Sequence, residues 1–96
     1  MNRMNKKKVG RIFEVLSKET NLRIICALAG KEMCVTSLQL ELDLKQANLS
    51  QHLNVLKRFD ILDCKKEGNR SCYFIKDKRY VKLLKETSKL FTEEVK

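Results

Sequence analysis

The stretch Leu44-Lys45-Gln46-Ala47-Asn48-Leu49-Ser50-Gln51-His52-Leu53-Asn54-Val55-Leu56-Lys57 has two unlike faces once it is wound as a helix. Leu49, Leu53 and Leu56 recur at i, i+4 and i+7, the stripe of a helix packed on a core, and Val55 lies beside them. The other face offers Gln46, Ala47, Asn48, Ser50, Gln51 and His52. Glutamine and asparagine amides can bond in pairs to adenine edges, and the major groove of duplex DNA admits an α-helix. Lys57 and Arg58, at the far end, suit phosphates. The spacing predicts a helix over about Gln46 to Arg58, with Gln46, Ala47, Asn48, Ser50, Gln51 and His52 as its DNA-reading set.

Upstream, Thr36-Ser37-Leu38-Gln39 has the S/T-x-x-E/Q form of a capping box. It predicts a short helix from Thr36 with Leu38, Leu40 and Leu42 as its apolar residues, joined to the reading helix through Asp43-Leu44-Lys45. Thr36 and Ser37 join the expected phosphate contacts. A further helix is predicted to open near Thr20 or Asn21, to carry Leu22, Ile25, Cys26 and Ala29 inward, and to stop at Gly30. Ahead of it, Val9, Ile12, Phe13 and Leu16 mark a first amphipathic helix, preceded by a basic, frayed arm over residues 1–8.

Downstream, residues 61–75 read as a β-hairpin. Ile61, Leu62, Tyr73, Phe74 and Ile75 suit strands, and Gly68-Asn69 supplies a two-residue turn. Lys65, Lys66, Asn69 and Arg70 make its tip basic, as a wing along the DNA backbone would be. Asp77 is a cap for a last helix to about Glu94. There Val81, Leu84, Phe91 and Val95 share one face, with Ser88 in the gap. Such a stripe outlasts what one small core needs, so it predicts helix-to-helix dimer packing through Leu84 and Phe91, with Val9, Ile12 and Phe13 of the first helix. The predicted fold is mainly α with a two-stranded β-hairpin wing, a dimeric winged helix-turn-helix in the order α-α-α-α-β-β-α.

Bulk properties agree. Ninety-six residues fit one domain, residues 9–96, with 1–8 as the arm. A hydrophobic share of 43% builds only a small core, which dimerisation would supplement. The net charge of +9 asks for a polyanion, and by itself leaves DNA, RNA and an anionic membrane surface open. Taken singly, a solvated polar helix or a charged hairpin is ordinary. The amide-rich helix, the basic hairpin and the charge together favour nucleic acid. No apolar run approaches the ~18 residues of a membrane span. The basic start is not followed by the apolar stretch of a signal peptide, so a cytoplasmic place is expected. No catalytic set stands out: there is no Gly-rich phosphate loop and no HExxH.

Leu44 to Lys57 resembles the recognition helix of the ArsR/SmtB repressor family, often LSQSTVSHHLKVLR. The flanks resemble it too. Leu16-Ser17-Lys18-Glu19-Thr20-Asn21-Leu22-Arg23-Ile24 is similar to LADETRLRIL. Lys31-Glu32-Met33-Cys34-Val35-Thr36-Ser37-Leu38 is similar to ELCVCDL, and Lys66-Glu67-Gly68-Asn69-Arg70 through Tyr73 to the KEGR…YY wing. The likeness covers about residues 9–95. It implies a homodimeric repressor that binds an inverted-repeat site on double-stranded DNA and needs no cofactor. Two positions depart from the pattern. Lys45 replaces the serine that often caps the reading helix and adds a phosphate contact. Asp60 replaces the glycine after that helix, a turn aspartate can still make. The rival reading is a basic winged module that binds RNA or a protein partner. The missing aromatic stacking platforms weigh against single-stranded RNA.

The four cysteines, Cys26, Cys34, Cys64 and Cys72, are expected as thiols rather than a disulfide framework. Family sensors often bind metal through both cysteines of ELCVC. Here Cys34 keeps the first and Thr36 replaces the second, short of the three or four ligands a soft-metal site needs. The family's other metal site uses aspartate and histidine on the last helix, and residues 77–96 contain no histidine, so that site is not expected and no metal ligand is assigned; a thiol-reactive or metal inducer, at a site that recruits Cys26, Cys64, Cys72 or a partner chain, stays open. In the family's redox-sensing branch Cys26 falls at one cysteine position and Thr92 at the other. Cys34, then Cys26, are the candidate thiol sensors. Cys64 and Cys72 could face each other across the hairpin, although a two-residue loop at Gly68-Asn69 pairs Cys72 with Lys65 instead. Cys34 could also meet a cysteine of a partner chain, and any of the four could simply pack as a small apolar residue.

Overall fold

The computed structural model describes residues 1–91. In chain order they form α1 (Lys6–Leu16), α2 (Glu19–Leu28), β1 (Met33–Cys34), α3 (Val35–Leu42), α4 (Gln46–Arg58), β2 (Leu62–Glu67), β3 (Arg70–Ile75) and α5 (Arg79–Phe91). The strands make one antiparallel sheet in the order β1-β3-β2. This is the winged helix-turn-helix expected from the sequence, with α3 and α4 as the helical pair and β2-β3 as the wing.

The core forms where the stripes converge. Ile24 and Ile25 of α2, Leu38 of α3, and Leu49, Leu53 and Leu56 of α4 are buried against Ile61 and Leu62 at the root of the wing. Leucines at this spacing hold α4 by one side, which fixes the direction of its polar face. α3 and α4 both stop on an aspartate. Asp43 and Asp60 take left-handed backbone conformations, with φ of 53° and 58°. Each is followed by an N–H that reaches back five residues, Leu44 to Gln39 O at 3.2 Å and Ile61 to Leu56 O at 3.1 Å. This is the glycine-type helix ending, with aspartate tolerating the left-handed turn. Gly68, at φ 64°, is the first of two loop residues in the hairpin, as a tight hairpin turn requires.

Several sequence expectations need correction. The sheet has three strands rather than two, because Met33 and Cys34 pair with Tyr73 and Cys72. A two-residue strand carries no alternation to read. α1 begins at Lys6, ahead of Val9, because Asn5 caps it by accepting the Lys8 N–H at 3.0 Å. α3 begins at Val35 with Cys34 at the cap position, so Thr36 lies inside the helix and its capping box does not form. Strand β1 pulls the chain straight into that first turn. Leu40 is 80% exposed, since it sits opposite Leu38 and Leu42 on α3. α2 opens at Glu19 and turns Asn21, Ile24, Ile25 and Leu28 inward, leaving Cys26 and Ala29 exposed. The expected end of the last helix at Glu94, and Thr92 and Val95, lie outside the described residues.

Candidate nucleic-acid interface

α4 spans the predicted Gln46–Arg58, with Leu49, Leu53 and Leu56 buried and Val55 half-buried. Gln46, Ala47, Asn48 and Gln51 are exposed on its outer side, and Ser50 is half-buried. Lys45 occupies the cap position in extended backbone, and no side chain among the described residues caps the helix there. Its first-turn N–H groups, the positive end of the helix dipole, remain open to an anion. Thr36 and Ser37 are exposed on the first turn of α3.

His52 departs from the rest of that face. It is half-buried, and its Nδ1 lies 2.9 Å from Oδ1 of Asn21, a residue with no solvent exposure. The Asn21 Nδ2 in turn donates to Val15 O at 2.8 Å. Sequence reading did not find Asn21, because an asparagine at the start of a helix reads first as a cap. The only signal for it was its place one turn ahead of Ile24 and Ile25 on the inner face. Arg23 adds a second tie that was missed, its guanidinium donating to Leu42 O at the C-terminal end of α3 at 2.6 Å.

The wing carries Lys66, Asn69 and Arg70 exposed at its tip. Lys65 is held by Glu32, with Nζ 3.1 Å from the carboxylate and a further 4.0 Å to Glu67. The hydrogen bond to Glu32 raises its pKa above the usual lysine value, so its charge persists. Lys57 donates to Cys64 Sγ at 3.2 Å, tying the end of α4 to β2, while Arg58 is exposed. This hydrogen bond is the main reason Lys57 also titrates high.

The two-residue loop pairs Cys72 with Lys65 as expected, whereas Cys26 does not face inward. Cys26 is exposed, Cys34 and Cys64 are half-buried, and Cys72 is buried. Cys64 pairs in register with Tyr73 and Cys72 with Lys65, so Cys64 and Cys72 do not face each other. Cys34 instead faces Cys72 within one chain, across β1 and β3. Among the described residues no group of three or more Cys, His, Asp or Glu is placed to hold a metal ion. No helix among them is long and apolar enough to cross a membrane. On the candidate dimer face Val9 and Ile12 are half-buried, Phe13 is 54% exposed, Leu84 is half-buried against the core, and Phe91 is 80% exposed.

Comparison with known proteins agrees with this geometry. Residues 18–63 match the family described as "Bacterial regulatory protein, arsR family". The chain is 38% identical over 88 residues to the cadmium resistance transcriptional regulatory protein CadC of Listeria innocua, covering 91% of this chain and 73% of that protein. Its backbone superposes on reduced HlyU from Vibrio cholerae with a TM-score of 0.82 at 27% identity, covering 93% and 94% of the two chains. A homodimeric winged helix-turn-helix DNA-binding domain from Mycobacterium bovis shares the fold, with a TM-score of 0.80 at 22% identity over 94% of this chain and 86% of that one. The chain belongs to the arsR family of bacterial regulatory proteins and is a DNA-binding transcriptional regulator.

Proposed function

We propose that the chain is a cytoplasmic repressor that binds, as a homodimer, an inverted-repeat operator in double-stranded DNA. The observation that carries this is α4. Its leucines are locked into the core while Gln46, Asn48 and Gln51 stand exposed, so the helix presents these amides to solvent from a fixed position. Gln46, Ala47, Asn48, Ser50, Gln51 and His52 read base edges. Thr36, Ser37, Lys45, Lys57, Arg58, Lys65, Lys66, Asn69 and Arg70 engage phosphates and sugars. The chain acts as one domain from α1 onward, with only the few residues ahead of Asn5 as an arm, and the protein has no catalytic role.

Two copies pair through Val9, Ile12, Phe13, Leu84 and Phe91. The homodimeric form of the M. bovis neighbour supports this, as do the exposed aromatic rings of α1 and α5. Two-fold symmetry then sets one reading helix on each half-site. Release from DNA runs through a thiol, Cys34 before Cys26. Cys34 stands at the cap of α3, so a change there moves the helix packed against α4.

The deciding experiment is operator selection from random duplex DNA. An inverted repeat should emerge, bound with strong salt dependence. Gln46→Ala, Asn48→Ala and Gln51→Ala should each relax base preference, since a bidentate amide–base pair is worth about 1–3 kcal/mol of discrimination. Preference for single-stranded RNA over every duplex would sink the reading.

A further inference from the structure

The sulfur atoms of Cys34 and Cys72 belong to no part of the DNA-reading surface, yet the fold sets them together. Cys34 is the last residue of β1 and Cys72 is its register partner on β3. Directly opposed residues of an antiparallel pair stand about 4.5–5.5 Å apart at Cα. That lies inside the ~4.4–6.8 Å window that disulfides use. Of the groups around the Cys72 thiol, Cys34 has the largest influence on its titration. Cys72 also donates to Glu67 Oε1 at 3.3 Å.

We propose that Cys34 and Cys72 form a reversible disulfide when the protein meets a hydroperoxide, and that closing it loosens the grip on DNA. The second half rests on the operator reading above; the first does not.

The two sulfurs have distinct roles. Cys34 lies on the edge strand and is half-buried, opening on a broad surface cleft beside Lys31, Ser37 and Leu40. Cys72 is almost fully covered. The hydrogen bond with Cys34, burial and the Glu67 carboxylate push its thiol up to about 12, so it stays protonated. Hydroperoxide therefore meets Cys34 first. The Cys34 sulfur attacks one peroxide oxygen, the O–O bond breaks, and the other oxygen leaves as an alcohol, giving a sulfenic acid. The Cys72 sulfur then attacks the Cys34 sulfur. Its proton passes to Glu67 and on to the departing hydroxide, which leaves as water. Two thiols lose two electrons in all, and the hydroperoxide is reduced to alcohol and water. The other thiols are poorly placed to compete. Neither faces a second cysteine with which to close the bond: Cys64 pairs in register with Tyr73, and Cys26 lies on the exposed side of α2.

The bond would pull the cap of α3 toward the middle strand of the sheet. Reading helix and wing address the same half-site, so a change in their separation is felt by DNA. It also removes the thiol hydrogen that Glu67 accepts, leaving that carboxylate free beside Lys65 and the wing tip.

The test uses the reduced full chain, treated with hydrogen peroxide, alkylated, digested and mapped without reductant. We expect free thiols to fall from four to two and a Cys34–Cys72 linked peptide to appear, both reversed by dithiothreitol. C34S and C72S should abolish the link, while C26S and C64S keep it; C72A, checked by thermal melting, serves if the buried serine unfolds the chain. DNA affinity should drop about tenfold or more on oxidation of wild type and stay constant in C34S. A link between other cysteines, a bond between two chains, or overoxidised Cys34 with no link would overturn the disulfide. A formed link with unchanged affinity would overturn the release. Reduced protein that binds no duplex would count against the operator reading, while the linked peptide still decides the disulfide.

Discussion

The Nδ1 of His52 on α4 lies 2.9 Å from the Oδ1 of Asn21 on α2, and Asn21 has no exposed surface. The Asn21 Nδ2 is committed to Val15 O, so the oxygen faces the ring and His52 must supply the hydrogen at Nδ1. In the neutral ring, Nε2 is then the nitrogen left as an acceptor. One buried amide thus joins the end of α1, the start of α2 and the reading helix, and it fixes the tautomer of a residue on that helix.

Asn21→Ala should therefore cost both stability and reading. Val15 O and Nδ1 of His52 lose the buried amide that serves both, a penalty of about 1–3 kcal/mol. A urea melt measures the loss, and duplex binding should weaken with it. His52→Ala should be milder in the melt, because its ring is only half-buried. Equal stability of Asn21→Ala and wild type would show that the bond contributes nothing.

The wing supplies a second expectation. Lys66→Ala and Arg70→Ala should weaken every duplex alike and lower the slope of log affinity against log salt by about 1 each. Glu32→Gln should do the reverse. It frees Lys65 from the carboxylate 3.1 Å away, so affinity rises and the salt slope steepens. The lysine side chain is 49% exposed, which keeps the change small in the melt. Titration of one duplex at several salt concentrations reads all three variants.

α5 begins under pH control. Asp77 accepts the Arg79 backbone N–H at 3.0 Å and the Arg79 guanidinium at 2.7 Å. These bonds, the side-chain ones above all, hold its carboxyl below the ordinary aspartate value of 3.8. A carboxyl depressed on folding adds stability above its unfolded value, and that stability is lost as pH falls through the lower folded one. Asp77→Asn keeps an oxygen for the backbone N–H but removes the charge. It should melt slightly below wild type at neutral pH, and the two curves should converge in strong acid. A gap that stays constant below pH 3.8 would remove Arg79 as the cause.

What the sequence disclosed, and what it hid, follows from the range of the interactions. α4 was legible to its end residues because a leucine stripe and a polar face are written within one helix, and so was the hairpin, whose Gly68-Asn69 turn fixes register locally. β1 was not legible: two residues become a strand only because Tyr73 and Cys72, far along the chain, lie alongside. The same distance hid the Cys34–Cys72 pair, the Glu32–Lys65 ion pair and the Asn21–His52 bond. Cys26 was misplaced for a different reason. A stripe on a short helix can be drawn through Cys26 and Ala29 or through Asn21, Ile24 and Leu28, and a polar Asn21 steered the choice outward although it is the buried one.

The last expectation concerns pairing of two copies. α5 has no fully buried residue, and its outer end leaves Leu90 75% and Phe91 80% exposed, with Phe13 of α1 54% exposed. Val81, Leu83 and Leu84 reach the core from the earlier turns of the helix, so the fold of one protomer does not depend on Phe91. Phe91→Glu should leave the melting curve of the isolated protomer nearly unchanged, since surface substitutions usually stay within about 0.5 kcal/mol. It should nevertheless place a charge in the seam between copies and, in sedimentation, convert dimer to monomer at micromolar concentration. Each half-site must then be bound separately, so operator affinity should fall about 100-fold or more while affinity for a single half-site holds. Leu84→Ala should give a weaker version of the same effect, with some loss of protomer stability because Leu84 packs on the core. A Phe91→Glu protein that sediments as a dimer and keeps full operator affinity would place the dimer seam elsewhere on the chain.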